Sequence, residues 1–231
     1  MTFSIVARSP DGRSFGVAIA SSSPAVAARC AHARSGCGAV ATQNITDPAL
    51  GPIILEGLAR GSGAAAAMAD ALAGTPFGDF RQLLVIGAPG PPVVHSGARA
   101  LGVVGSAVGT HAAAAGNLLA SAGVPKAMID AFETSEGHLG SRLLESLRAG
   151  LARGGEAGPV HSAGVLVVRE VSWPIVDLRV DWSEDPVSDL ARIWTLYAPQ
   201  VEDYVRRALD PGGAPGFGVP GDPAQIARRS T

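Results

Sequence analysis

The strand-like segments of this chain come in runs, and most of them are apolar on both faces. Three such segments open the sequence, three more follow a pair of helical segments, and two close the series after another helical pair. Runs of strands, rather than a strict alternation of strands and helices, argue against a doubly wound parallel sheet. Two sheets packed face to face, with helices outside both, would bury both faces of each strand. We therefore expect an α+β fold with two antiparallel sheets between helical layers.

The expected element boundaries follow from turn residues and from apolar periodicity. Strands are expected at 2–8, 15–20, 38–43, 81–86, 93–96, 103–110, 162–169 and 174–180, and helices at about 49–60, 63–73, 122–133, 138–152 and 185–209. The stretch 25–35 is ambiguous between a helix and a strand. Asp185-Pro186 is a good helix start, because Asp is a favoured N-cap and Pro a favoured first helical residue. The sequence predicts a single domain over 1–209 and a Pro/Gly-rich tail over 210–231.

Composition and charge argue against several classes of partner. The 231 residues carry a net charge of −2 and no basic stripe, so nucleic acid is not expected as a partner. No apolar run approaches the ~20 residues that span a bilayer, and no secretory signal is visible, so no membrane association is expected. Two cysteines, Cys30 and Cys37, do not make a disulfide framework, which favours a reducing, cytoplasmic location. Charged residues make up only 16%, and the apolar surface that this implies is compatible with a homodimer.

Thr2 is the residue that points most directly to a reaction. If Met1 is removed, the new N-terminus carries a hydroxyl nucleophile and a free amine on one residue. The amine has a reference pKa of about 7.7–8.0, so near neutral pH part of it can take the hydroxyl proton. Threonine with its own amine as base is a known form of activated nucleophile. The alternative is that Thr2 is there because threonine is a good strand residue.

The remaining motifs give no support for a metal or cofactor. Cys30-Ala31-His32 with Cys37 matches no standard zinc spacing, and buried free thiols are the simpler interpretation. The chain has no His-Glu-x-x-His motif, no Gly-x-Ser-x-Gly elbow and no phosphate-binding Gly-x-x-x-x-Gly-Lys loop. We therefore expect neither a metal nor an organic cofactor.

Two polar positions beside predicted strands are candidates for substrate binding. Gln43-Asn44 follows a strand and could donate hydrogen bonds to an oxyanion. The same pair could instead satisfy the backbone of its own loop. His161 precedes Ser162 and could be a general base or a hydrogen-bonded residue in the wall of a site.

Several blocks of sequence together resemble the bacterial and archaeal family known as domain of unknown function 1028. The blocks are Met-Thr-Phe-Ser-Ile-Val-Ala-Arg (1–8), Gly-Val-Ala-Ile-Ala-Ser (16–21), Gly-Ala-Val-Ala-Thr-Gln (38–43), Pro-Ala-Leu-Gly-Pro (48–52), Gly-Asn-Leu-Leu (116–119) and Ser-Ala-Gly-Val-Leu-Val-Val (162–168). The resemblance covers about residues 1–182. That family looks like a member of the N-terminal nucleophile hydrolases, which implies a four-layer αββα sandwich. It also implies that the first residue of the mature chain attacks an amide carbonyl.

The resemblance suggests a role for individual residues. Thr2 falls where the superfamily has its nucleophile. Gly116-Asn117 is expected to open a helix after a strand, like the step that supports the nucleophile's amine in proteasome-like relatives. Ser162 begins a late strand, where a supporting serine often lies. Ser21 and Ser22 end the second strand, where relatives often have a polar residue near the amine.

The chain also departs from the pattern of its relatives. The segment 154–161 differs from the family's, with His161 where glutamine is usual. Proteasome-like relatives use a lysine beside the nucleophile, whereas the one lysine here, Lys126, lies in a predicted outer helix. Arg29 or Arg34 could supply the positive charge instead.

Three functional hypotheses result from these residues and the resemblance. The first is a hydrolase that cuts a C–N amide bond of a small or peptide-like substrate. In it, Thr2 is the nucleophile, and backbone N–H groups with Asn117 or Asn44 hold the oxyanion. The second is a catalytically silent protein of the same fold that binds a small ligand or a partner, because a retained Met1 would leave Thr2 without a free amine. The third is hydrolysis by another nucleophile in the same pocket.

Overall fold

The computed structural model describes residues 1–219 and divides the chain into two compact units, Met1–Trp194 and the part from Thr195 onward. The strands are β1 Thr2–Arg8, β2 Phe15–Ser21, β3 Ala31–Arg34, β4 Gly38–Asn44, β5 Arg81–Gly87, β6 Val93–Ser96, β7 Gly105–Val108, β8 Ala112–Asn117, β9 Ser162–Val168 and β10 Val176–Val180. The helices are α1 Val26–Cys30, α2 Leu50–Ala59, α3 Ala64–Ala73, α4 Val124–Thr134, α5 Leu139–Ala152, α6 Pro186–Tyr197 and α7 Val201–Leu209.

The first unit is a four-layer sandwich. Six strands form one antiparallel sheet in the order β10-β9-β2-β1-β8-β7, and four form the other in the order β3-β4-β5-β6. The sheets pack face to face, with α4 and α5 on the outer face of the larger sheet and α2 and α3 on the outer face of the smaller. This confirms the predicted α+β class and the predicted αββα arrangement.

Apolar side chains fill the space between the layers. The two sheets share an apolar layer whose buried members are Val6, Phe15, Val17, Ala39, Ala41, Leu84, Ile86, Ala113, Ala115 and Val168. The side chains on the other face of β4 and β5 pack against α2 and α3. Strands buried on both faces explain why the sequence pattern does not alternate between apolar and polar.

Gly16 on β2 lets α5 approach the larger sheet closely. A Cβ atom built at this position would lie 2.7 Å from Leu143 Cδ1 and 2.8 Å from the backbone oxygen of Leu166. A backbone oxygen cannot move aside as the end of a side chain can, so the position requires glycine because of space.

The structure differs from the sequence prediction at several elements. Strand β8 was not predicted, because four consecutive alanines have a low strand propensity and only pairing with β1 and β7 stabilises them. The expectation that Gly116-Asn117 opens a helix is also wrong, because the strand that the alanines form continues through these two residues. These two residues end β8, and α4 begins only at Val124.

Two further boundaries were resolved or corrected. The ambiguous stretch 25–35 contains α1 followed directly by β3. The predicted last helix is interrupted by a 3₁₀ turn at Ala198–Gln200, where Pro199 cannot donate a backbone hydrogen bond. Among the described helices, none is both long and apolar enough to cross a membrane. The end of the predicted tail, 220–231, lies outside the described residues.

Gly16→Ala should lower the free energy of unfolding by about 1–3 kcal/mol, because the added methyl group forces β2 and β9 or α5 apart. Gly74→Ala is the control, since its Cβ would have only ordinary contacts of 3.5 and 3.8 Å. Urea unfolding of both variants measures the difference. Equal stabilities of the two variants would contradict the close packing at Gly16.

Candidate active site

The ends of four adjacent strands of the larger sheet bring the proposed site residues together. Thr2 begins β1, and its register partner Asn117 ends β8. On the other side of β1, Ser21 ends β2 and is the register partner of Ser162, which begins β9. Neighbouring antiparallel strands run in opposite directions, so the starts of β1 and β9 and the ends of β2 and β8 lie side by side, at the same end of the strands. All four side chains are buried.

The hydroxyl groups of Thr2 and Ser21 converge on one backbone carbonyl. Thr2 Oγ1 and Ser21 Oγ both donate hydrogen bonds to the carbonyl oxygen of Met1, and the two hydroxyl oxygens are 3.3 Å apart. Ser21 Oγ also accepts from the backbone N–H of Ser23 at 3.1 Å and lies 2.8 Å from Ser23 Oγ. The carbonyl is bonded to the nitrogen that would become the free amine of Thr2. Ser21 therefore lies beside both functional groups that the proposed chemistry needs.

A cavity of ≈ 350 Å³ opens in front of Thr2. It is lined by Met1, Thr2, Ser23, Val26, Arg29, Cys30, Asn44, Thr46 and Pro48. The lining comes from β1, from the loop after β2, from α1 and from the loop after β4. A cavity of this size fits a small ligand, since ligand pockets range from roughly 300 to 1,000 Å³.

Arg29 brings a positive charge to this cavity. Its Nη1 donates to the backbone oxygens of Pro24 at 2.6 Å and Ala25 at 3.1 Å, and its Nη2 donates to Ser23 Oγ at 2.8 Å. All three acceptors are neutral. Among the described residues, no carboxylate lies within 4.0 Å of the guanidinium.

Ser162 fixes the loop that carries these residues. Its Oγ donates to the backbone oxygen of Ser23 at 2.6 Å and accepts from the backbone N–H of Val26 at 3.2 Å. Ser162 therefore acts on the loop and on the start of α1. Among the described residues, the hydroxyl of Ser162 makes no hydrogen bond with that of Thr2.

Glu156 is a buried carboxyl group beside the site that the sequence analysis did not single out. Both of its oxygens lie 3.1 Å from the backbone nitrogen of Ser22, which donates to them. Burial raises the pKa of Glu156 to about 7, although the N-terminal amine, the Ser22 N–H and His161 act in the opposite direction. The signal that could have found it is a lone acidic residue in the Gly/Ala-rich segment 154–161, which departs from the family pattern.

His161 is not among the residues that line the cavity in front of Thr2. Its ring stacks on Trp182 with 4.3 Å between centroids, and Nδ1 is 3.1 Å from the backbone oxygen of Ser183. Its backbone N–H donates to the oxygen of Ser21 at 2.9 Å. These contacts join His161 to Trp182, Ser183 and Ser21, and both roles considered from the sequence stay predictions.

The candidate oxyanion donors Gln43 and Asn44 have other partners in this structure. Gln43 Nε2 donates to Gln82 Oε1 at 2.8 Å and to the backbone oxygen of Ala115 at 3.2 Å, which uses both amide hydrogens. Asn44 Nδ2 donates to the oxygen of Phe80 at 2.6 Å. Asn44 still lines the cavity, whereas Gln43 lies between the sheets.

A buried amide network links the two sheets behind Thr2. Ser4 Oγ donates to Gln43 Oε1 at 2.7 Å, and Asn117 Nδ2 donates to Gln82 Oε1 at 3.1 Å. Gln82, which the sequence analysis missed, therefore accepts from both Gln43 and Asn117. Within the described part of the chain, Asn117 Oδ1 is buried and has no hydrogen-bond partner.

The chain is similar in sequence and in fold to known proteins. The family model described as "Family of unknown function (DUF1028)" matches residues 2–190. The chain belongs to the DUF1028 family. Its fold is similar to the crystal structure of a DUF1028 protein from Silicibacter pomeroyi, with a TM-score of 0.80, 26% identity, and coverage of 87% of this chain and 94% of that chain.

A second solved structure is more distant from this DUF1028 protein. Anbu, an ancestral β-subunit from Yersinia bercovieri, matches with a TM-score of 0.39 and 12% identity, over 94% of this chain and 100% of that chain. That similarity is too low to add to the assignment. No curated protein has a significantly similar sequence.

The two alternative sources of positive charge in this DUF1028 protein lie on the surface. Lys126 on α4 is exposed and pairs with Asp130. Arg34 on β3 pairs with Glu56 at 2.9 Å, and both side chains are about half exposed. Of the three cationic side chains considered from the sequence, Arg29 is the one that lines the cavity with Thr2.

The cysteines of this DUF1028 protein are free thiols. Cys30 lines the cavity, with Sγ 3.5 Å from Thr46 Oγ1, and burial raises the pKa of its thiol. A raised pKa makes Cys30 a weaker nucleophile at neutral pH. Within residues 1–219, no three His, Cys, Asp or Glu side chains are grouped so that they could hold a metal ion.

Gln82→Ala should lower the free energy of unfolding by about 2–4 kcal/mol, because it removes the shared acceptor of Gln43 and Asn117. One buried amide hydrogen of Gln43 and one of Asn117 then lose their partner, although Gln43 keeps its bond to the backbone oxygen of Ala115. Ser96→Ala is the control. It removes one partner of Gln82 Nε2, which keeps its bond to the backbone oxygen of Gly116 at 3.1 Å. Chemical denaturation compares the two, and a larger loss for Ser96→Ala would contradict the network.

Glu156→Gln should stabilise the protein relative to wild type as the pH rises. Folded Glu156 keeps its proton up to a pKa of about 7, against an ordinary value of 4.5. Between these values the folded state binds more protons than the unfolded state, so the wild-type free energy of unfolding falls as the pH rises. The glutamine has no such titration. From about pH 5 to about pH 8 the variant should gain about 2 kcal/mol relative to wild type.

The measurement is denaturant unfolding of both proteins at the two pH values. Glu145→Gln, which removes an exposed carboxylate from α5, is the matched control for the change of residue type. A difference between Glu156→Gln and wild type that stays constant with pH would contradict the assignment of a buried, protonated carboxyl group.

Proposed function

We propose that this DUF1028 protein hydrolyses a C–N amide bond of a small or peptide-like substrate, with Thr2 as the N-terminal nucleophile after removal of Met1. The observation that carries the proposal is the position of Thr2. Thr2 is at the head of a central strand and lines a cavity of ≈ 350 Å³, and its hydroxyl lies 3.3 Å from the hydroxyl of Ser21. The αββα sandwich is the fold that the resemblance to N-terminal nucleophile hydrolases implies, and this agreement supports the same chemistry.

The reaction begins when Thr2 Oγ1 attacks the substrate carbonyl and the free α-amine of Thr2 takes the hydroxyl proton. The amine then gives that proton to the leaving nitrogen, and the C–N bond breaks to leave an ester on Thr2. A water molecule, deprotonated by the same amine, then attacks the ester carbonyl. The bond between that carbon and Thr2 Oγ1 breaks, the ammonium group returns its proton to Oγ1, and the acid is released. Each step moves one proton, so the chemistry needs no oxidant or reductant.

The neighbouring residues have supporting roles in this proposal. Ser21 keeps a hydroxyl beside both the nucleophile and the amine. Ser162 holds the 22–26 loop in place through its bonds to Ser23 and Val26. Backbone N–H groups and the side chains of Asn44 and Asn117 are the candidates for holding the oxyanion.

Thr2→Ala should lower amidase activity on the order of 10³-fold or more, because it removes the nucleophile but keeps the amine. Thr2→Ser should keep measurable activity. A β-lactone probe should form a covalent ester at residue 2 of the wild type, found by peptide mass spectrometry, and none in Thr2→Ala. Thr46→Ala is the control, since Thr46 lines the same cavity and its loss should leave labelling intact. Full activity in Thr2→Ala would refute the assignment of the nucleophile.

The second candidate is a catalytically silent protein of this fold that binds a small ligand or a partner. The observation that favours it is the Met1 carbonyl, which accepts hydrogen bonds from both Thr2 and Ser21. While Met1 is present, the nitrogen of Thr2 is a peptide nitrogen and cannot act as the base. The intact mass of the protein from its native host separates the two candidates: loss of one methionine supports the hydrolase, and its retention supports the silent protein.

A further inference from the structure

The charged groups that line the cavity beside Thr2 are positive. Arg29 is the one charged side chain among the residues that line it; the other charge in the lining is the N-terminal amine. The nearest acidic groups on adjoining elements have other partners. Asp47 accepts from the backbone nitrogen of Ala49 at 3.1 Å and lies 3.9 Å from Arg81 Nη2, and Glu156 accepts from Ser22. The cavity therefore has a positive charge that no side chain in the described part of the chain neutralises.

Hydrogen bonds hold the guanidinium of Arg29 in place but do not occupy all of its N–H donors. Its three hydrogen bonds go to Ser23, Pro24 and Ala25, all within six residues along the chain. Arginine has five N–H donors, so two remain after these bonds. In the described residues, neither Nε–H nor the second hydrogen of Nη2 has a protein acceptor. These two nitrogens form the edge of arginine that binds a carboxylate in a bidentate pair.

The geometry points to a carboxylate-bearing substrate that Arg29 holds for attack by Thr2. The substrate class is an N-acyl amino acid or a short peptide-like amide, with a carboxylate a few bonds from the scissile C–N bond. Arg29 then acts as a specificity-determining residue, whose preorganised guanidinium orients the carbonyl toward the nucleophile. The size of the cavity limits the substrate to a small molecule. This inference rests on the proposed function for its reaction, but its binding step can be tested separately.

The kinetic test uses a panel of N-acetyl amino acids, each paired with its uncharged C-terminal amide. Protein with a free Thr2 amine should prefer the carboxylate member by about 100-fold in kcat/KM. Arg29→Gln should abolish that preference, mainly through KM of the carboxylate member, while activity on the uncharged member changes little. Arg29→Lys keeps the charge and should retain part of the preference. Arg34→Gln is the matched control, because Arg34 pairs with Glu56 on the surface.

Arg29 also supports the loop that follows β2, so its loss could act through folding. Equal losses for the charged and uncharged substrates in Arg29→Gln would indicate loop support only and would overturn the inference. An unchanged preference for the carboxylate in Arg29→Gln would overturn it too.

A binding experiment separates this inference from the proposed function. Isothermal titration of Thr2→Ala with the N-acetyl amino acids should give binding that the additional Arg29→Gln change weakens about 10-fold or more. Binding of this kind without hydrolysis by the wild type would support the carboxylate site and overturn the proposed hydrolase. Hydrolysis without any carboxylate preference would do the reverse. Absence of binding to every member of the panel would overturn the carboxylate site.

Discussion

The pairing of β1 with a strand on each side is the constraint on which the rest of the structure depends. Because β2 and β8 both hydrogen-bond to β1, the head of the chain is placed in the interior of a six-stranded sheet. Chain ends usually fray, since few contacts hold them. Here the second residue is 5% exposed and has backbone neighbours on both sides. A threonine that would be mobile at an ordinary terminus is therefore held in one position against a cavity.

The amide network explains how the second sheet contributes to this site without supplying a residue that reacts. Gln43 and Gln82 belong to the smaller sheet, and Ser4 and Asn117 belong to the larger. Buried polar groups fix a particular relative position of two surfaces, because a slip of either sheet would leave them unpaired. The network thus favours one relative position of the two sheets behind Thr2.

Much of the fold could be predicted from the sequence, because strand runs, turn residues and helix starts are local signals. The long apolar strands β1, β5 and β9 were placed almost to the residue. Strand β8 was missed because its alanines carry no local strand signal and gain their conformation from pairing. The convergence of Thr2, Ser21 and Ser162 was expected only from the resemblance to a family, since their meeting depends on strand order. Glu156 and Gln82 were missed because their importance lies in burial and partners, which sequence spacing does not show.

The Met1 carbonyl has a consequence for any sample of this protein. Two hydroxyl groups converge on an atom that belongs to the residue preceding the proposed nucleophile. Molecules with and without Met1 therefore share a fold but differ in the hydrogen bonding of Thr2 and Ser21. A preparation that contains both is a mixture of two chemical species with nearly the same mass, shape and charge. Its turnover number per mole of chain would then report the extent of N-terminal processing as much as the chemistry of the site.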